Sequence, residues 1–238
     1  MTAKLLLVHG AWHNAKGFAT LQKELNALGI ESNTVELSSA AKGGDLIGDM
    51  YGDAEIVRSA AKNLGDDVYV LAHSYGGLPI TQGLADLPSV RGLIYLTAFM
   101  LDEGETLFGA CGGQAPPWWV YSADNTRLTT QNPGSVFYNT CSAEIKTSAI
   151  SELRTQSLSS FNQEVTKVAW KEIDSTYIIC EQDQAIPLFA QEAMSQRANQ
   201  VMRIDTDHSP FLCKPKELSE MLEEILKKYR NTIKSCRT

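Results

Sequence analysis

The 238-residue chain has no apolar stretch long enough to span a bilayer, no C-x-x-C pair and no histidine in metal-ligand spacing. These absences argue against a helical membrane protein, a thiol redox enzyme of the usual motif and a zinc protein. No block of basic residues is present either. The chain carries 21 basic and 28 acidic residues, a net charge of -7, which argues against nucleic acid or an anionic membrane as partner. Lys227, Lys228 and Arg230 fall in the last turn of an expected helix, where cations suit the dipole. The start, MTAKLLLVHGAW, reads as a buried strand ending in His-Gly and not as a signal-peptide core. The five cysteines (Cys111, Cys141, Cys180, Cys213 and Cys236) are scattered and odd in number. They read as free thiols of an intracellular, cytoplasmic protein. The expected partner is a small-molecule substrate, with a homodimer left open.

Short apolar runs alternate with amphipathic stretches. Lys4 to Val8, Ile30 to Leu37, Val68 to Ala72, Val90 to Leu96, Ser175 to Cys180 and Gln200 to Ile204 read as strands. Between them, Phe18, Leu21, Leu25 and Leu28 fall at helical spacing and stop at Gly29. Further helices are expected over Ala54 to Leu64, Leu78 to Leu87, around Ala190, and along a final stripe from Leu218 to Tyr229. Strands apolar throughout and separated by helices imply a parallel sheet covered on both faces, hence one doubly wound α/β domain. From about Asp102 to Trp170 the alternation stops and aromatics gather, among them Trp118, Trp119, Phe137 and Tyr138. That segment reads as an inserted cap. The four aromatics are candidates for substrate contact, although holding the cap together is an equally good reading. Because Trp118 and Trp119 are adjacent, regular structure points them apart, and at most one is expected to line a pocket.

The sharpest signal is VLAHSYGG, Val70 to Gly77: a strand, a sharp turn at Ser74, then a helix. This is the nucleophile elbow G-x-S-x-G with Ala72 in place of the first glycine. Ser74 is the candidate nucleophile, and a serine hydroxyl needs a base. Of His9, His13, His73 and His208, only His208 lies late in the chain, past a late strand, where the order Ser…Asp…His puts the base. His73 is turned away by the elbow, and backbone roles suit His9 and His13. Asp183 is the chosen acid, with Glu181 and Asp102 as rivals. Asp205 and Asp207 sit too close to His208 in sequence. Oxyanion donors are expected from the backbone N–H groups of Ala11, after Gly10, and of Tyr75.

VHGAWH, AHSYGG, the D-x-x-x-P of Asp183 to Pro187, and DHSPFLCKP resemble the α/β-hydrolases that include plant methylesterases, the salicylate-binding esterase and hydroxynitrile lyases. The resemblance covers both ends of the chain well and the cap loosely. It implies an α/β-hydrolase fold, a Ser74–His208–Asp183 triad, no cofactor, no metal, and a small ester or related carbonyl substrate. The threonine and lysine that support cyanohydrin cleavage in the lyases correspond to Ala11 and Ser209, which disfavours that activity. The expected function is therefore hydrolysis of a small apolar or aromatic carboxylic ester. The alternatives are a lactonase, cyclase or C–C lyase on the same triad, or a small-molecule receptor.

Overall fold

Every apolar run of the sequence has to bury two faces, and the chain solves this with a sheet sandwiched between helices. The computed structural model describes residues 4–42 and 48–235. Its strands in chain order are β1 (Lys4–Val8), β2 (Glu31–Val35), β3 (Ala40–Ala41), β4 (Val68–His73), β5 (Val90–Leu96), β6 (Trp119–Tyr121), β7 (Arg127–Thr130), β8 (Thr155–Ser157), β9 (Ser175–Cys180) and β10 (Gln200–Ile204). Six of them form one parallel sheet in the order β10-β9-β5-β4-β1-β2. Successive side chains point to opposite faces. Leu5 and Leu7 of β1 thus join one apolar layer, with the helices Ala19–Ala27 and Pro215–Ser235. Leu6 and Val8 join the other, beneath the helices Met50–Leu64 and Gly77–Gly83 and the cap.

After β1 the chain steps to one side to make β2, then returns past β1 to make β4. The loops leaving β1 and β4 therefore diverge at their carboxyl ends and open a crevice there, the usual place for a ligand in such sheets. The helix Met50–Leu64 runs beneath this point. Asp49 caps it by accepting the Gly52 N–H at 2.8 Å, and Gly65 ends it at φ 84°. Its inward face carries Met50, Ala54, Val57 and Ala61, and also one acid, Asp53.

The segment from Asp102 to Trp170 folds into short helices and a second, antiparallel sheet in the order β3-β8-β7-β6. One strand of that sheet, β3, comes from outside the segment, between β2 and the helix Met50–Leu64. Two sequence expectations shift. The strand expected over Ile30 to Leu37 is Glu31–Val35, and the helix expected over Leu78 to Leu87 is Gly77–Gly83, followed by turns. The expectation of free thiols is wrong for two cysteines: Cys141 and Cys213, 72 positions apart, are joined by a disulfide across a Cα–Cα distance of 5.0 Å. No local spacing pattern announces a pairing made by the cap closing on the body. Cys111 and Cys180 are free, and Cys236 lies outside the described residues. Among the described residues no helix is long and apolar enough to cross a membrane.

Candidate active site

β4 runs into a single turn at Ser74, whose φ of 55° is left-handed. A non-glycine residue in that region is strained and persists only where its surroundings hold it. Here the Phe99 N–H donates to the Ser74 carbonyl at 3.0 Å. Close packing accounts for the small residues on either side. A Cβ on Gly76 would lie 2.7 Å from the His9 carbonyl oxygen, and one on Gly10 would lie 2.7 Å from the Ser74 Cβ. Ala72 pairs with Val8 and is fully buried.

Ser74 shares a narrow cavity with His208, with about 20 Å³ of room for a water-sized sphere. His208 follows β10, and its Nδ1 donates to Asp183 Oδ2 at 2.7 Å. Asp183 follows β9 and is itself held on every side. The Thr97 hydroxyl donates to Oδ2 at 2.5 Å, and the amides of Ala185 and Ile186 donate to Oδ1 at 2.6 and 3.0 Å. A buried carboxylate with this many donors stays put. The rival acids are elsewhere. Asp102 pairs with Lys171, which holds its carboxyl below the usual range, and half-exposed Glu181 lies near Arg203. Asp207 accepts the N–H groups of Thr140 and Ser209. Thr97 was not anticipated; a hydroxyl at the end of β5 carries no sequence signal by itself.

The remaining histidines hold the backbone. His73 is turned from Ser74, and its Nε2 donates to the His208 carbonyl at 2.8 Å. His9 Nδ1 donates to the Gly10 carbonyl and its Nε2 accepts the Leu37 N–H; His13 Nδ1 donates to the Ala11 carbonyl and its Nε2 accepts the Tyr138 hydroxyl at 3.0 Å. Burial disfavours the charged form of all three, pushing His13 down to about 3 and His73 well below the usual value. Ala11 and Tyr75 line the cavity, and neither backbone N–H has a partner among the described residues.

Aromatic rings make much of the cavity wall. Trp118, Trp119 and Phe137 line it together with Trp12 and Phe161, which the sequence did not single out. Contrary to expectation, Trp118 and Trp119 both line it. Trp118 precedes β6, so strand alternation does not govern the pair, and the two rings meet edge to face at 6.0 Å. The buried Trp119 indole N–H has no partner among the described residues, whereas those of Trp12 and Trp170 donate to the Leu128 and Leu101 carbonyls. Tyr138 is not at this cavity. It is fully buried, bonded to His13, and faces a separate cleft, because it points away from its neighbour Phe137. Cys141, Cys213 and Asp207 also come together, but a disulfide offers no thiolate to a metal.

A strained serine at the switch point of a doubly wound parallel sheet, under an inserted cap, defines the α/β-hydrolase class of fold. The chain belongs to the Alpha/beta hydrolase family, whose model matches residues 5–221. It is 29% identical to alpha/beta hydrolase nvfD of Aspergillus novofumigatus, over 92% of this chain and 94% of that one. It is 26% identical to methylesterase 1 of Arabidopsis thaliana, over 94% and 96%. Among solved structures, a methylesterase from Arabidopsis superposes with a TM-score of 0.81 at 23% identity, covering 95% of this chain and 99% of that one.

Proposed function

We propose that the protein is a serine esterase that cleaves a small, apolar or aromatic carboxylic ester through an acyl-enzyme on Ser74. The observation that carries this reading is Ser74, strained at the end of β4, in one cavity with a His208 whose Nδ1 is anchored to buried Asp183. That anchor leaves His208 Nε2 as the free ring nitrogen. It takes the Ser74 proton as Oγ attacks the ester carbonyl, then delivers it to the departing alkoxide. Asp183 keeps the tautomer and stabilises the imidazolium formed in passing. The Ala11 and Tyr75 N–H groups receive the carbonyl oxygen as it becomes negative. Water, activated by His208, then releases the acid, so the cycle needs no cofactor. The wall of Trp12, Trp118, Trp119, Phe137 and Phe161 supports an apolar or aromatic substrate, and relatives named methylesterases support the ester class.

Fluorophosphonate labelling of Ser74, followed by a panel of p-nitrophenyl and methyl esters, tests the reading. Ser74→Ala is expected to abolish labelling and to lower kcat by about 10⁴-fold or more. Near-normal turnover by a folded Ser74→Ala protein would overturn it.

A further inference from the structure

The two proposed oxyanion donors belong to separate loops, after β1 and after β4, and one array of buried side chains connects them. The Tyr75 hydroxyl donates to Asp53 Oδ2 at 2.8 Å. Asp53 also accepts the Ser38 hydroxyl at 2.9 Å, the Ser39 N–H at 3.1 Å, and the Ser39 hydroxyl. The Ser39 hydroxyl in turn accepts Gln156 Nε2 at 2.8 Å, and Gln156 Oε1 accepts the N–H of Trp12, the residue after Ala11, at 3.3 Å. Trp12 is held at a left-handed φ of 62°, with its carbonyl accepting the Arg154 N–H at 2.8 Å. Asp53, Ser39 and Gln156 are fully buried.

Asp53 is a carboxylate on the apolar face of the helix Met50–Leu64, and no lysine or arginine pairs with it among the described residues. Burying such a group is costly unless its oxygens are fully hydrogen-bonded. A small apolar residue would serve packing alone. The four donors instead bring together the elbow, the chain before the helix and, through Gln156 of β8, the cap and the loop after β1. Burial and the neighbouring carboxylate push the Tyr75 phenol well above its ordinary value, so it stays a donor throughout the working range.

We propose that Asp53 is a positioning residue of the oxyanion hole: through Tyr75 on one side and Ser39, Gln156 and Trp12 on the other, it sets the spacing of the Tyr75 and Ala11 amides. This rests on the esterase reading above. Oxyanion stabilisation depends on donors fixed in advance, and small displacements of such groups are expensive in rate.

The test uses Asp53→Asn, Tyr75→Phe and the double variant. Active serines are counted by fluorophosphonate titration, and kcat and KM are measured on p-nitrophenyl acetate per active serine. Binding of an aryl trifluoromethyl ketone, which forms a tetrahedral oxyanion on the serine, is measured alongside. The expected result is a loss of about 10-fold or more in kcat for each single variant, with KM within about twofold and ketone affinity falling in parallel. The double variant is expected to be no worse than the more severe single one, because Tyr75→Phe removes a hydrogen bond that Asp53→Asn already disturbs. If the variants only melt earlier and yield fewer active serines, while kcat per serine and ketone affinity are unchanged, the role is structural and the proposal is overturned. Should Asp53→Asn fail to fold, Tyr75→Phe, which deletes one hydroxyl, decides on the same readouts. If the wild-type protein does not label at all, the esterase reading and this proposal fall together; normal labelling with unaffected variants overturns this proposal alone.

Discussion

Trp118 and Trp119 sit side by side at the cavity yet differ in what else they hold. Trp118 is half-buried, with its ring 5.4 Å from those of Trp12 and Phe137. Trp119 is 7 % exposed and lies 4.9 Å from the Phe161 ring, inside the shared core of cap and body. Removing the Trp118 ring is therefore expected to change KM and the ranking of esters while leaving Tm nearly intact. Trp119→Ala is expected to change the ester ranking and also to lower Tm, with a stability loss of about 3 kcal/mol for the emptied space. Kinetics on the ester panel and thermal melts of the two variants check this. If Trp118→Ala leaves the ranking untouched, the aromatic wall does not choose the substrate. Asp53 was not legible at all: the helix expected over Ala54 to Leu64 begins four residues earlier, at Met50, and so takes in Asp53, and its partner Tyr75 becomes apparent only when that helix is laid against the elbow.

The disulfide joins two elements that the sequence keeps apart, the end of the cap's Tyr138 turn and the short helix Pro210–Cys213 that follows His208. The Thr140 N–H, donated to Asp207 at 2.8 Å, makes a second tie between the same elements. Closing a loop of this length is worth roughly 2–5 kcal/mol, chiefly through the unfolded chain. Alkylation of the unfolded, unreduced protein is expected to spare Cys141 and Cys213, and reduction is expected to lower Tm by several degrees. If both cysteines alkylate without reductant, the bond is absent in solution. The bond also removes the cysteine argument for an intracellular setting. The strands of the main sheet were legible as apolar runs, Val68–His73 being six residues buried throughout, and the final helix because Pro215–Ser235 is long enough to show its period. The chain order of Ser74, Asp183 and His208 was legible because each follows a strand. The cap's strands were not, since β6, β7 and β8 have three, four and three residues, too few for alternation to register.

Three neutral histidines buried around one crevice give the whole molecule a pH dependence. His9, His13 and His73 all have lowered values when folded, with burial as the largest cause. In the unfolded chain each titrates near 6.5. A lowered value means that the unfolded state takes up protons first. The stability they confer is complete above about pH 6.5 and is lost as the pH falls from there toward the folded value, about 3 for His13. Between pH 7.5 and pH 5, His13 alone is expected to account for about 2 kcal/mol. Urea midpoints across that range check it, and a flat profile would show that the three rings are charged or solvated in the folded protein. The same scale gives β3 its importance. Ala40 and Ala41 complete the cap's sheet by pairing with Gln156 and Thr155, although they belong to the body of the chain. The cap is thus not a cassette. Grafted onto another hydrolase as residues 102–170, it would carry β8 as an open edge, exposing a strand that invites aggregation. Any transplant of this cap has to carry the two alanines that finish its sheet.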